Sequence, residues 1–178
     1  MFQGVRAAVA LIITASCFFA SSASAQVLQC APYARQVSGI QLFGRAADWW
    51  GQAEGQYDRG HAPRVGAVLS FASSRAMPAG HVAMVSEVVN DREVLLTHAN
   101  WSYRGGIERN VRAIDVSAAG DWSQVRVWFG PIHDLGLRPN HANGFIYPQA
   151  PSGDIESTPT IIADAGSRRP VQLASAGR

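Results

Sequence analysis

The chain has 178 residues, 47% hydrophobic and 16% charged, with a formal charge of +2 carried entirely by arginines on the basic side. That balance excludes a disordered chain, and the absence of basic runs or basic-aromatic interleaving excludes a nucleic-acid-binding surface. The length suits one domain with a sizeable core behind a short leader.

The leader comes first in chain order. Arg6 supplies a positive start, AAVALIITASCFFA an apolar stretch, and Ala23-Ser24-Ala25 a small-residue cleavage site. Residues 1–25 are therefore expected to be a cleaved signal peptide, leaving no membrane anchor and placing the protein in the periplasm or outside the cell. Such compartments form disulfides, yet Cys17 falls in the leader and Cys30 is left alone. A lone exported cysteine is an inert buried thiol, an intermolecular link or a nucleophile.

CAPYARQVS, from Cys30 to Ser38, predicts a helix with Pro32 in its first turn and Gly39 as its stop. Ala46 to Ala53 is a second helical stretch, and Gly55 to Pro63 a turn-rich loop. Strands are predicted over Val65–Phe71, His81–Val89, Glu93–Trp101, Val111–Val116, Val125–Phe129 and Gly144–Tyr147. Helices followed by a run of strands imply an α+β domain. Residues 26–147 form that domain, and 148–178, with no sustained period, a disordered tail.

Asn90-Asp91, taken as a two-residue turn, sets Val89 against Arg92. Carried back along the hairpin, that pairing puts Ala83 opposite His98 and His81 opposite Asn100. His81, His98 and Asn100 then share one face at the open end, and a one-residue slip would separate them. Two histidines alone read as structural; with a lone cysteine they suggest a nucleophile, a base and an orienter. A helix terminus contributes at most about 2 kcal/mol, little more than one pKa unit. A thiolate at Cys30 would therefore need a cationic His81, giving a thiolate–imidazolium pair. His98 or Asn100 would then orient His81, and backbone N–H groups at the helix start would face a developing oxyanion.

These residues resemble the cysteine, histidine-dependent amidohydrolase/peptidase (CHAP) domains, in the papain-like group with NlpC-type wall peptidases. LQCAPYAR is similar to the family's Gln-Cys-x-x-Tyr start, AADWW to its Ala-x-Asp-Trp segment, and RVGAVLSF to the strand before the catalytic histidine. AGHVAMVSEV resembles its Gly-His-Val-Ala block, and THANW its Asn-Trp strand end. The resemblance implies a papain-like fold with N-terminal helices packed on a small antiparallel β-sheet, Cys30 as nucleophile and His81 as base and acid. Many CHAP members carry an acidic residue where His98 stands; NlpC-type enzymes use a histidine, so His98 is the expected orienter and Asn100 its rival. Gln29 and Trp101 are weaker candidates for substrate or oxyanion contacts.

The implied substrate is the peptide part of peptidoglycan or a muropeptide, cut by a monomer without cofactor or metal. A zinc peptidase needs ligands at metal spacing, and the chain offers only His98-Ala99-Asn100. A wall-binding module on the same scaffold and a cysteine protease acting on proteins are the other readings. His61, His133 and His141 lie in loop-like contexts and are expected to be solvated; of Trp49, Trp50 and Trp101, at least two are expected in the core.

Overall fold

The computed structural model describes residues 27–148. The expected signal peptide, Cys17 and nearly all of the expected tail lie outside the described residues. Helix α1 spans Cys30–Ser38 and ends at Gly39, whose φ of 76° is the left-handed cap and whose N–H bonds Arg35 O. A 3-10 turn over Ala46–Asp48 runs into the single-turn helix α2, Trp49–Gln52.

The strands are β1 Arg59–Gly60, β2 Val68–Phe71, β3 His81–Asn90, β4 Glu93–Ala99, β5 Ile107–Asp115, β6 Gln124–Phe129, β7 Asp134–Leu135 and β8 Asn140–Ile146. Each of β2 to β6 pairs antiparallel with the next. Strand β8 then joins the two ends: its first residues pair with β6, and Ala142 to Ile146 pair with β2. The short β1 and β7 lie beside β8 and β6.

This corrects the α+β, papain-like expectation of helices packed on a small sheet. The fold is mostly β, a closed six-stranded antiparallel barrel with two short helices. The reason is physical. An open sheet would leave β2 and β6 with unpaired edges, and the last strand satisfies both. That pairing joins segments far apart in sequence, so no local pattern announces it.

Alternation along the strands builds two cores. Leu69, Phe71, Ala83, Val85, Val94, Leu96, Val127 and Phe145 fill the barrel with Trp122. On the outer face Val68, Val82 and Ile146 meet Ala31 and Ala34 of α1 and the fully buried Trp49. Helix α1 is thus fixed against β3 from outside, and its first residue lands at the barrel rim.

The β3–β4 hairpin differs from expectation at its tip. Asn90 pairs with Glu93, so the turn is Asp91-Arg92 rather than Asn90-Asp91. Two one-residue shifts follow, between Val88 and Asn90 and between Val85 and Glu87, and they bring Met84 opposite Thr97. The expected register at the open end is therefore reached by a different route: β-bulges absorb the offset of the turn.

Gly80, just before β3, shows why the Gly-His step is needed. Its φ is +67°, and a Cβ there would lie 2.7 Å from the backbone Cα and N of Ala47. This close approach lets Ala47 N–H bond Ala79 O at 2.8 Å, tying the loop before His81 to the 3-10 turn. Gly80→Ala combines backbone strain with overpacking and is expected to cost about 2–3 kcal/mol in a denaturant titration.

Candidate functional site

His81 opens β3 and His98 lies near the end of β4, both facing the barrel interior at one end. They are 3% and 1% exposed, and His81 Nε2 lies 2.9 Å from His98 Nδ1. The Trp101 ring packs 4.8 Å from His81 and 5.7 Å from His98, with Phe71 6.0 Å from His81 on the barrel side. Two imidazoles thus form a hydrogen-bonded layer that closes the apolar interior.

Cys30, half-buried at the start of α1, shares with His81 a cleft of about 370 Å³ lined also by Gln29, Met77, Asn100 and Trp101. Backbone N–H groups of Val82, Ala31 and Cys30 itself face the sulfur. The helix start and the β3 backbone therefore converge on one atom, as expected for a site that stabilises negative charge.

Burial nevertheless dominates the electrostatics. It pushes the Cys30 thiol up from its usual value, against the opposing pull of those N–H groups. It drives His81 well below the usual histidine range, helped by neighbouring His98, and lowers His98 to about 4. Desolvation thus disfavours both ions of the expected thiolate–imidazolium pair and favours the thiol and neutral imidazoles.

The neutral histidines make the fold acid-sensitive. Between the usual value of 6.5 and about 4, the unfolded chain binds a proton at His98 that the native state excludes. Stability is therefore full above about pH 6.5 and falls as acid is added through that window. The loss is on the order of 3 kcal/mol by pH 4, with His81 acting in the same direction. Denaturant midpoints between pH 7 and pH 4 measure this, and removing His98 should flatten the curve.

Asn100 does not reach His81. It follows β4 in a left-handed conformation, φ 60°, its Nδ2 donating to Gln29 Oε1 at 2.9 Å and its Oδ1 accepting from Gly105 N at 2.8 Å. The structure thus pairs His98, not Asn100, with His81. Asn100 instead braces Gln29, whose Nε2 also donates to Val27 O at 3.2 Å. Trp101 is half-buried and its Nε1 donates to Trp128 O at 2.9 Å. Trp49 is core, Trp50 partly buried, and His61, His133 and His141 are exposed.

The residue that sequence reading missed is Glu108, in β5 directly opposite His98. Its Oε2 lies 3.6 Å from His98 Nε2, and its carboxylate accepts hydrogen bonds from Ser102 Oγ at 2.6 Å and Ser102 N at 3.0 Å. Ser102 Oγ in turn accepts from Gly130 N at 2.9 Å. A charged residue near the start of a partly exposed strand gives no local signal; only the β4–β5 register shows it. Among the described residues no group of three or more His, Cys, Asp and Glu side chains is arranged to hold a metal ion.

The CHAP domain family model matches residues 20–100, just under half of the chain. The match includes Gln29, Cys30, His81, His98 and Asn100 and stops short of Trp101 and Glu108. A CHAP domain points to amidase or peptidase chemistry related to the cell wall. No curated protein matches the chain.

Proposed function

We propose, on the premise that this chain carries a CHAP domain, that it is an exported cysteine hydrolase cutting amide bonds in the peptide part of peptidoglycan. One observation carries the reading: Cys30 and His81 line the same cleft, and His98 backs His81 from the barrel side at 2.9 Å.

The chemistry follows from which atoms are left free. His81 Nε2 is engaged by His98, so Nδ1 is the nitrogen available to Cys30. As a substrate carbonyl enters, the thiol proton passes to His81 Nδ1 while sulfur bonds the carbonyl carbon. The resulting oxyanion faces the backbone N–H groups at the start of α1. The C–N bond then breaks, the amine leaves with the proton from His81, and a thioester remains on Cys30. Water, deprotonated by His81, resolves it to the acid and restores the thiol. No cofactor enters these steps, and the domain works as a monomer.

Starting with two neutral groups has a cost that the fixed dipoles of the site offset in part. Proton transfer creates charge in a buried place, which is unfavourable at rest. The fixed N–H groups oppose that cost when the negative charge develops.

The test is digestion of purified peptidoglycan by the protein, with mass analysis of the products. Amino-sugar acids freed of peptide would mark an amidase, and shortened stems an endopeptidase. Binding without new fragments, unchanged by alkylating Cys30, would replace the hydrolase with a wall-binding module.

A further inference from the structure

His98 Nε2 is a buried ring nitrogen with no hydrogen-bond partner within reach, on a residue 1% exposed. The nearest acidic group is Glu108 Oε2, at 3.6 Å too long for a hydrogen bond but close for a charge facing a dipole. We propose that Glu108 is a positioning residue that acts through two rings to leave His81 Nδ1 unprotonated and facing the thiol. The proposal rests on the hydrolase reading above.

The argument follows protons along the row. A carboxylate oxygen facing His98 Nε2 attracts an N–H there and repels a lone pair, so His98 carries its proton on Nε2. His98 Nδ1 is then an acceptor, and in the 2.9 Å contact the donor must be His81 Nε2–H. A neutral imidazole has one N–H, so His81 Nδ1 is left as a bare lone pair, the form a base requires. Without an acceptor behind His98 the row can reverse. His98 Nδ1–H would then donate to His81 Nε2, and His81 Nδ1 would hold a proton and be useless to Cys30.

The backbone is built for this placement. Along most of the β4–β5 ladder Leu96 pairs with Val111 and Leu95 with Arg112, a register that would set Arg109 opposite His98. A one-residue shift between Leu96 and His98 substitutes Glu108. The extra residue lies in β5, where Asn110 adopts φ 53° and its N–H bonds Thr97 Oγ1 at 3.3 Å. Asparagine tolerates that left-handed conformation, and such bulges re-aim side chains. The shift therefore exchanges a cation for an anion behind the imidazole pair. The carboxylate is held rigidly by both donors of Ser102, so it faces His98 at fixed orientation. It also offsets the positive charge on the pair once His81 takes the thiol proton.

Ring-nitrogen NMR of the ¹⁵N-labelled full chain, with kinetics on peptidoglycan, tests the assignment. The wild type should show His81 and His98 both protonated on Nε2. Glu108→Ala should move His98 toward the Nδ1–H form and lower kcat at least tenfold, with KM within twofold. Glu108→Gln keeps an acceptor without the charge, and should hold the wild-type tautomers with an intermediate kcat. A wild-type spectrum with His98 protonated on Nδ1 would overturn the proposal, as would Glu108→Ala with kcat within twofold of wild type. Should Glu108→Ala fail to fold, the wild-type spectrum and Glu108→Gln decide. A wild type that hydrolyses nothing defeats the hydrolase reading, while the spectra still report on Glu108.

Discussion

Cys30→Ser leaves the barrel folded and lowers kcat by about a thousandfold or more on any peptidoglycan bond the wild type cuts. The two side chains differ by one atom, and Cys30 is only half-buried at the start of α1, so Tm should move by no more than about 2 °C. The loss is chemical. The thiol already sits above its usual pKa because of burial, yet a neutral imidazole can still take its proton when a carbonyl is in place. A hydroxyl lies several units higher again, beyond what a histidine held far below its usual range can accept. Circular dichroism and thermal melts beside a muropeptide assay separate the two effects. Full activity in the folded variant would remove Cys30 from the mechanism.

His98→Ala lowers kcat by about a hundredfold to a thousandfold, while Asn100→Ala lowers it by about tenfold or less. His98 Nδ1 holds His81 Nε2 at 2.9 Å, so its loss frees the ring to rotate and to carry its proton on either nitrogen. Asn100 holds Gln29 and Gly105 instead, and its loss loosens the cleft wall without touching the base. Its effect should therefore appear mainly in KM. Steady-state kinetics on a defined muropeptide distinguish the patterns, and equal kcat losses for both variants would contradict the assigned roles.

Local features were legible where local physics decides them. Helix α1 is readable because Pro32 and Gly39 mark its two ends, and its packing face follows from small residues at Ala31 and Ala34. The His81–His98 meeting was legible through strand periodicity, although the turn that anchored it lies one residue further along. Two bulges, at Ser86 and Val89, restored the register, and nothing in SEVV marks them. Glu108 was hidden for the same reason, since a bulge at Asn110 rather than a motif sets what faces His98. Barrel closure was hidden because β8 pairs back with β2, distant from it in sequence. Charge state was not legible because burial at the rim depends on tertiary packing, and desolvation there opposes both ions.

Desolvation holds the half-buried Cys30 thiol above its usual pKa and so favours its neutral form. Peroxides and disulfides react with the ionised form of cysteine far faster than with the neutral one. A nucleophile that stays neutral until its substrate arrives is a poor target for such reagents, and Cys30 has no neighbouring cysteine among the described residues to trap it. The same desolvation that opposes ionisation of Cys30 thus protects the thiol from oxidants.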